Sequence, residues 1–295
     1  MSSIDPAVLK RYRRRRLTRR LLGTALLVVL TLVLIEVLLR VTDPFGAAYF
    51  GDLAGNFYDV AIDDPRGYVV PPGEYHASHW SFSIQPDHTR TVPDTNPDAP
   101  RTLVFVGDSV AFGYGVEDAE TFVNLVAQAL PDWRVINDSY PGWNIQNLEG
   151  AWAQHPDADL IFVLTITNDL TESYLTPGQR GWRPLYIQAY AMWVGWIFTG
   201  FPTPAPETLA ALEPGWIASI SALAADPRVT FLTIDTAGDY EQRVASMFPD
   251  KTVILENYTG LVSTVDSHPN PASHVFLAAQ IIPVVQSRIA ALDPD

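Results

Sequence analysis

The chain has 295 residues, 47% of them hydrophobic, with a formal net charge of −14, enough length and apolar content for one large domain or two small ones. The charge is uneven: residues 1–20 hold eight Lys or Arg and one Asp, whereas the remainder holds eleven basic against thirty-two acidic residues. An acidic body argues against nucleic acid as partner, since phosphate binding needs a basic face. The absence of cysteine removes disulfides, thiolate catalysis and Cys-ligated zinc.

The arginines of the tail abut LLGTALLVVLTLVLIEVLL, residues 21–39. As a helix this stretch is about 29 Å long, close to the hydrocarbon thickness of a bilayer. Glu36, its one ionisable residue, sits near the far end. A cleaved signal peptide is the rival reading, and Thr18-Arg19-Arg20-Leu21-Leu22 faintly resembles a twin-arginine signal. The apolar run exceeds a usual signal core, and no small-x-small site follows Leu39. The expectation is therefore a cytoplasmic tail (1–20), one transmembrane helix (21–40) in the plasma or inner membrane, and an exported remainder, periplasmic or extracellular.

Residues 41–100 are rich in Pro, Gly, Asp and aromatics. They read as an irregular juxtamembrane segment with one or two short strands around Tyr75–Ile84, packed on the main domain. From residue 101 the pattern alternates. Thr102–Val106 is an apolar run of the kind buried on both faces of a sheet. Phe122, Val126 and Leu130 share a helical face within 119–130. Trp133–Asn137 is a second strand and 144–154 a helix; Leu160–Ile166 is a third strand. A helix over 207–225 contains Pro214, Val229–Ile234 is a fourth strand and Thr252–Leu255 a fifth. A helix over 271–291 contains Pro283. This order implies a three-layer α/β/α domain over 101–295 with a mainly parallel sheet, and an aromatic insertion at about 171–205.

Ligands of such sheets gather at the carboxyl ends of the strands. There the chain places Gly107-Asp108-Ser109, then Tyr140-Pro141-Gly142, then Asn168, and before the last helix Asp266-Ser267-His268. A serine hydroxyl needs a base to become a nucleophile. His268 can serve Ser109, with Asp266 fixing the tautomer of the imidazole. Ser109 N–H, Gly142 N–H and the Asn168 amide can hold a developing oxyanion.

These four blocks, in this order, resemble the SGNH (GDSL-type) hydrolase family over about 101–290. The likeness is strongest in VFVGDSVAFGYGVEDAETF and DSHPNPASH, and fair in YPGWN and TITND. The resemblance implies Ser109 as nucleophile, Gly142 and Asn168 with Ser109 as oxyanion hole, and Asp266 and His268 as the base pair. Two departures stand out: the family spacing Asp-x-x-His is here Asp-x-His, and Thr167 replaces a frequent glycine before Asn168. His274 takes the place of a later, usually structural histidine.

The function this implies is a membrane-anchored serine esterase that cleaves, or transfers, the acyl group of an ester-bearing small molecule, lipid or envelope glycan. The same residues leave open an O-acyltransferase acting on a cell-envelope polysaccharide, or a non-catalytic protein binding a glycan or partner subunit. No cofactor is called for. His76, His79 and His88 lack the spacing of a metal site and read as loop histidines. Residues 185–198, LYIQAYAMWVGWIF, read either as a buried core helix or as an amphipathic cap that touches the bilayer or an acyl chain, with Tyr190, Trp193 and Trp196 at the interface.

Overall fold

The computed structural model of the chain describes residues 6–49, 57, 60–170, 185–199, 205–235 and 239–292. The expected insertion at 171–205 therefore lies partly outside the described residues, as does the side chain of Trp196. The first helix, α1 (Pro6–Thr42), is continuous through the apolar stretch. Its span Tyr12–Thr42 reaches a mean hydropathy of 2.7 with no part of it buried in the protein, so it is long and apolar enough to cross a membrane.

Beyond α1 the chain forms two short antiparallel hairpins, β1 (Ile62–Asp64) with β2 (Gly67–Val69), and β3 (Gly73–His76) with β4 (Ser81–Ile84). β3 and β4 fall where one or two short strands were expected, and β1 with β2 adds a hairpin upstream of them. The segment is also part of the main core: Phe57, Tyr68, Val70, Trp80 and Phe82 are buried in the same apolar cluster as the sheet.

The sheet itself has five parallel strands: β5 (Arg101–Gly107), β6 (Trp133–Ser139), β7 (Leu160–Thr165), β8 (Val229–Ile234) and β9 (Thr252–Leu255). Their spatial order is β6-β5-β7-β8-β9, all pairs parallel. The strands are apolar on both faces because both faces are covered. Val104 and Val106 of β5 point into one core, Leu103 and Phe105 into the other; Ile161 and Val163 against Phe162 and Leu164 repeat the division in β7.

One face carries α4 (Ile145–Trp152), α6 (Pro206–Ala225) and α7 (Asp239–Met247), with the N-terminal hairpins beside them. The other carries α3 (Phe122–Ala129) and α8 (Pro271–Leu292). The architecture is the three-layer α/β/α sandwich expected from the sequence. Helices α6 and α8 are also long and apolar enough to cross a membrane, yet each lays a face on the sheet through Trp216, Ile220 and Leu223, or Leu277, Ile281 and Val285. Two further helices are α2 (Ser109–Phe112), directly after β5, and α5 (Tyr186–Thr199). The strand order reverses between β5 and β7, which opens a crevice at their carboxyl ends.

Candidate active site

Strand β5 ends at that crevice in Gly107-Asp108-Ser109. Gly107 is required by a close approach: a Cβ there would press on Ala111 and on Leu164 of β7. Asp108 caps α2, its Oδ1 accepting the Val110 N–H at 3.0 Å. Ser109 is thereby the first residue of a helix, where a backbone N–H has no intrahelical acceptor. Its side chain emerges at the rim, although the residue is only 6% exposed.

The histidine comes from the loop before α8. Leu261 bridges Pro269, and the Val262 N–H donates to the His268 carbonyl at 2.9 Å, closing a small loop. His268 Nε2 lies 2.8 Å from Ser109 Oγ, and His268 Nδ1 lies 2.5 Å from Asp266 Oδ1. The same Asp266 oxygen accepts the His268 backbone N–H at 3.0 Å. A one-residue spacer therefore suffices, because the carboxylate folds back over the turn that carries the imidazole. Burial pushes Asp266 up, but the charge and hydrogen bonds of His268 outweigh it and hold the carboxyl below its ordinary range. Tyr114 tilts against the far side of the ring, centroid to centroid 4.6 Å.

Gly142 follows β6, the neighbour of β5, with Gly107 and Ser139 in register. It adopts φ +80°, a left-handed turn that favours glycine, and the Tyr68 hydroxyl donates to the Pro141 carbonyl just before it. Asn168 follows β7 in a short 3₁₀ turn, Thr167–Leu170. Its Nδ2 donates to Asp108 Oδ2 at 3.3 Å, the oxygen that also accepts from Ser109 Oγ at 3.3 Å. The structure thus brings Ser109, Asp266 and His268 into one relay, sets Asn168 beside it through Asp108, and puts Gly142 in the adjoining turn.

Three residues of this region carried no role in the sequence reading. Asp108 is fully buried, and that burial pushes its carboxyl up, against the opposing pull of the Val110 N–H and the His268 charge. Its signal was its place as the residue before a helix. Arg90 is 1% exposed. Its guanidinium donates to the Phe112 and Gly113 carbonyls at 2.6 Å each and the Val116 carbonyl at 2.7 Å, and pairs with Asp118 at 2.8 Å. It fixes the loop that leaves α2, and nothing in its sequence neighbours announces this. Tyr114 lay inside the GDS block as an aromatic between two glycines. His274 is buried on α8, its Nδ1 accepting the Phe122 N–H at the start of α3 at 3.1 Å. His76, His79 and His88 bond to Ser81, Asp43 and the Val70 carbonyl respectively.

No family model and no curated protein matches the chain. Solved structures do. A family two carbohydrate esterase from Cellvibrio japonicus aligns at 14% identity with a TM-score of 0.41, over 66% of this chain and 63% of the esterase, so the match spans under two thirds of that protein. Est24, a carbohydrate acetylesterase from Sinorhizobium meliloti, aligns at 15% identity and TM-score 0.36, over 63% of this chain and 99% of its own. A member of the lipolytic G-D-S-L family from Veillonella parvula gives 15% and 0.37, over 63% and 98%.

Proposed function

We propose that this protein is a serine esterase of the SGNH type, held in the membrane by α1 and acting on an ester on the far side from the arginine-rich tail. The observation that carries the reading is the unbroken relay Ser109 Oγ, His268 Nε2, His268 Nδ1, Asp266 Oδ1, at 2.8 and 2.5 Å. Residues 1–20 are read as cytoplasmic from their charge, and residues 101–295 with the hairpins as the exported catalytic unit.

In this reading Ser109 Oγ attacks the ester carbonyl carbon while its proton passes to His268 Nε2. Asp266 stabilises the imidazolium so formed without taking its proton. The carbonyl oxygen becomes an oxyanion held by the N–H groups of Ser109 and Gly142 and by Asn168 Nδ2. The hydrogen bond from Asn168 Nδ2 to Asp108, which also accepts from Ser109 Oγ, supports this role. His268 returns its proton to the departing alkoxide, leaving an acyl-serine. Water, deprotonated by the same imidazole, then releases the acid and restores Ser109.

The test is covalent labelling with a serine-directed fluorophosphonate, followed by mass spectrometry. Label on Ser109, lost in Ser109→Ala and strongly slowed in His268→Ala, supports the reading. A folded protein that takes no label favours a module that only binds. Supplying a sugar alcohol and finding the acyl group on it rather than in water identifies a transferase.

A further inference from the structure

The helix α5 has no charged residue in Tyr186–Thr199, and its placement relative to α1 is specific. Its first turn is capped from α1: Glu36 accepts the Tyr186 and Ile187 N–H groups at 3.1 and 3.0 Å. Arg40 pairs with the same carboxylate at 2.7 Å and lies over the Tyr186 ring at 4.8 Å. The beginning of α5 is thereby fixed at the outer end of the apolar stretch of α1. From there α5 follows the chain as it leaves α1. The Tyr190 hydroxyl donates to Asp43 at 3.0 Å, and the Phe45 ring meets Tyr190 and Trp193 at 5.5 and 6.0 Å.

The same short segment packs against the loop that holds His268. A Cβ on Gly46 would overlap Ser263. Ala47, Ala189 of α5 and Val265, the residue before Asp266, are buried together. Tyr114, whose ring touches His268, donates its hydroxyl to the Tyr49 carbonyl. Only a few residues thus separate the end of α1 from contact with the Asp266–His268 loop. On its other flank α5 presents Ile187, Ala191, Val194 and Phe198 at the i, i+4, i+7, i+11 spacing of one helical stripe. Val194 is 44% exposed and Phe198 84%, with Leu185 and Ile197 exposed beside them.

We infer that α5 is an interfacial helix whose apolar stripe lies in the bilayer surface on the side of the catalytic domain, and that the site takes an amphiphilic ester borne in that leaflet. The occupant is lipid because the stripe starts where the membrane-length helix ends and lacks any charge to suit an aqueous face. Interfacial helices of this kind bury an apolar face about 5–10 Å into the headgroup boundary. Tyr186, Tyr190 and Trp193 lie where aromatic residues favour that boundary. Substrate class here rests on the esterase reading above; the position of α5 does not.

The chain has no cysteine, so single spin labels can be placed in it without background. Labels at Val194→Cys and Phe198→Cys are compared with Asp132→Cys, at the opposite end of the strands, in vesicles of phosphatidylethanolamine and phosphatidylglycerol. The expected result is relaxation of the first two by oxygen above a water-soluble nickel chelate, and the reverse at 132. Access to the chelate at 194 and 198 overturns the inference, and so does exclusion of both reagents, which would mean a protein partner. For the substrate, Val194→Asp with Phe198→Asp is expected to lower turnover of a long-chain diacylglycerol in those vesicles at least about tenfold, with p-nitrophenyl acetate turnover and Ser109 labelling unchanged. Equal turnover of the vesicle ester overturns the substrate class. Loss of Ser109 labelling in the parent protein would refute the esterase reading alone, since the spin labels report without catalysis.

Discussion

His274 makes a pH-dependent contribution to stability that follows directly from its surroundings. The ring is fully buried, stacks on Phe122 with centroids 5.9 Å apart, and accepts the Phe122 N–H at Nδ1. Burial first, then the charges of Arg90 and His268, push its pKa down to about 3. An unfolded histidine titrates near 6.5. Between these values the unfolded chain binds a proton that the native ring refuses, so stability falls as the pH falls. The contribution is complete above about pH 6.5 and declines by about 1.4 kcal/mol per unit below it. At pH 5 the loss is about 2 kcal/mol, and by pH 3 it approaches about 5 kcal/mol. His274→Asn keeps an acceptor for the Phe122 N–H and removes the titration. Urea unfolding of both proteins in detergent micelles, followed by tryptophan fluorescence between about pH 7.5 and pH 5, measures the difference. The stability gap between parent and variant should narrow by about 2 kcal/mol across that interval. Parallel curves would refute the argument, and with it the neutral state of the buried ring.

Replacing Arg90 with Met strands Asp118 and three carbonyls around an apolar side chain, so thermal unfolding should report a loss of about 3–5 kcal/mol; a melting point within the error of the parent would show that the loop after α2 holds itself. Asp266→Asn should leave the fold intact and lower kcat on p-nitrophenyl acetate by on the order of 10⁴, because Nδ1 loses the acceptor that sets its tautomer; a drop of less than tenfold would remove Asp266 from the mechanism. Asn168→Ala should lower kcat by about 10²–10³ with KM little changed, as expected when a donor acts on the transition state, and a rise confined to KM would make Asn168 a contact of the bound ester instead.

The sheet was legible because its strands are runs of apolar residues too continuous for anything but two-sided burial. Thr102–Val106, Leu160–Ile166 and Val229–Ile234 lie within a residue or two of the observed strands. Short strands were legible around Tyr75–Ile84, where β3 and β4 stand; β1 and β2 were harder, since strands of three residues carry no period to read. Helix α7 escaped notice because Asp239-Tyr240-Glu241 and Arg243 read as polar surface, whereas Tyr240, Glu241 and Val244 turn inward. The positions of Ser109, Gly142, Asn168, Asp266 and His268 were visible as polar residues after apolar runs. Their mutual distances were not, since Asp-x-His leaves open whether one carboxylate can meet both the imidazole and the backbone. That answer lay in the curvature of the 260–270 loop. Arg90 had no signal at all; a lone arginine among prolines and aspartates reads as solvated, and only the carbonyls it gathers show otherwise.

The contact between Ser109 and His268 spans 159 positions of sequence, whereas Asp266 and His268 are two apart. Asp266 and His268 can thus pair within a local turn early, whereas Ser109 must wait for the far longer loop that brings His268 to it. The closing loop is long, and its entropy is repaid only when α8 docks on the sheet. A ribosome delivers Ser109 well before His268, so under the proposed mechanism a nascent chain that lacks residues 260–292 carries an unactivated serine. In the reading adopted here, reactivity at Ser109 doubles as an indicator of finished folding: a half-made copy would be inert toward the lipid around it, and the membrane in which it is made is spared its chemistry until the last helix is home.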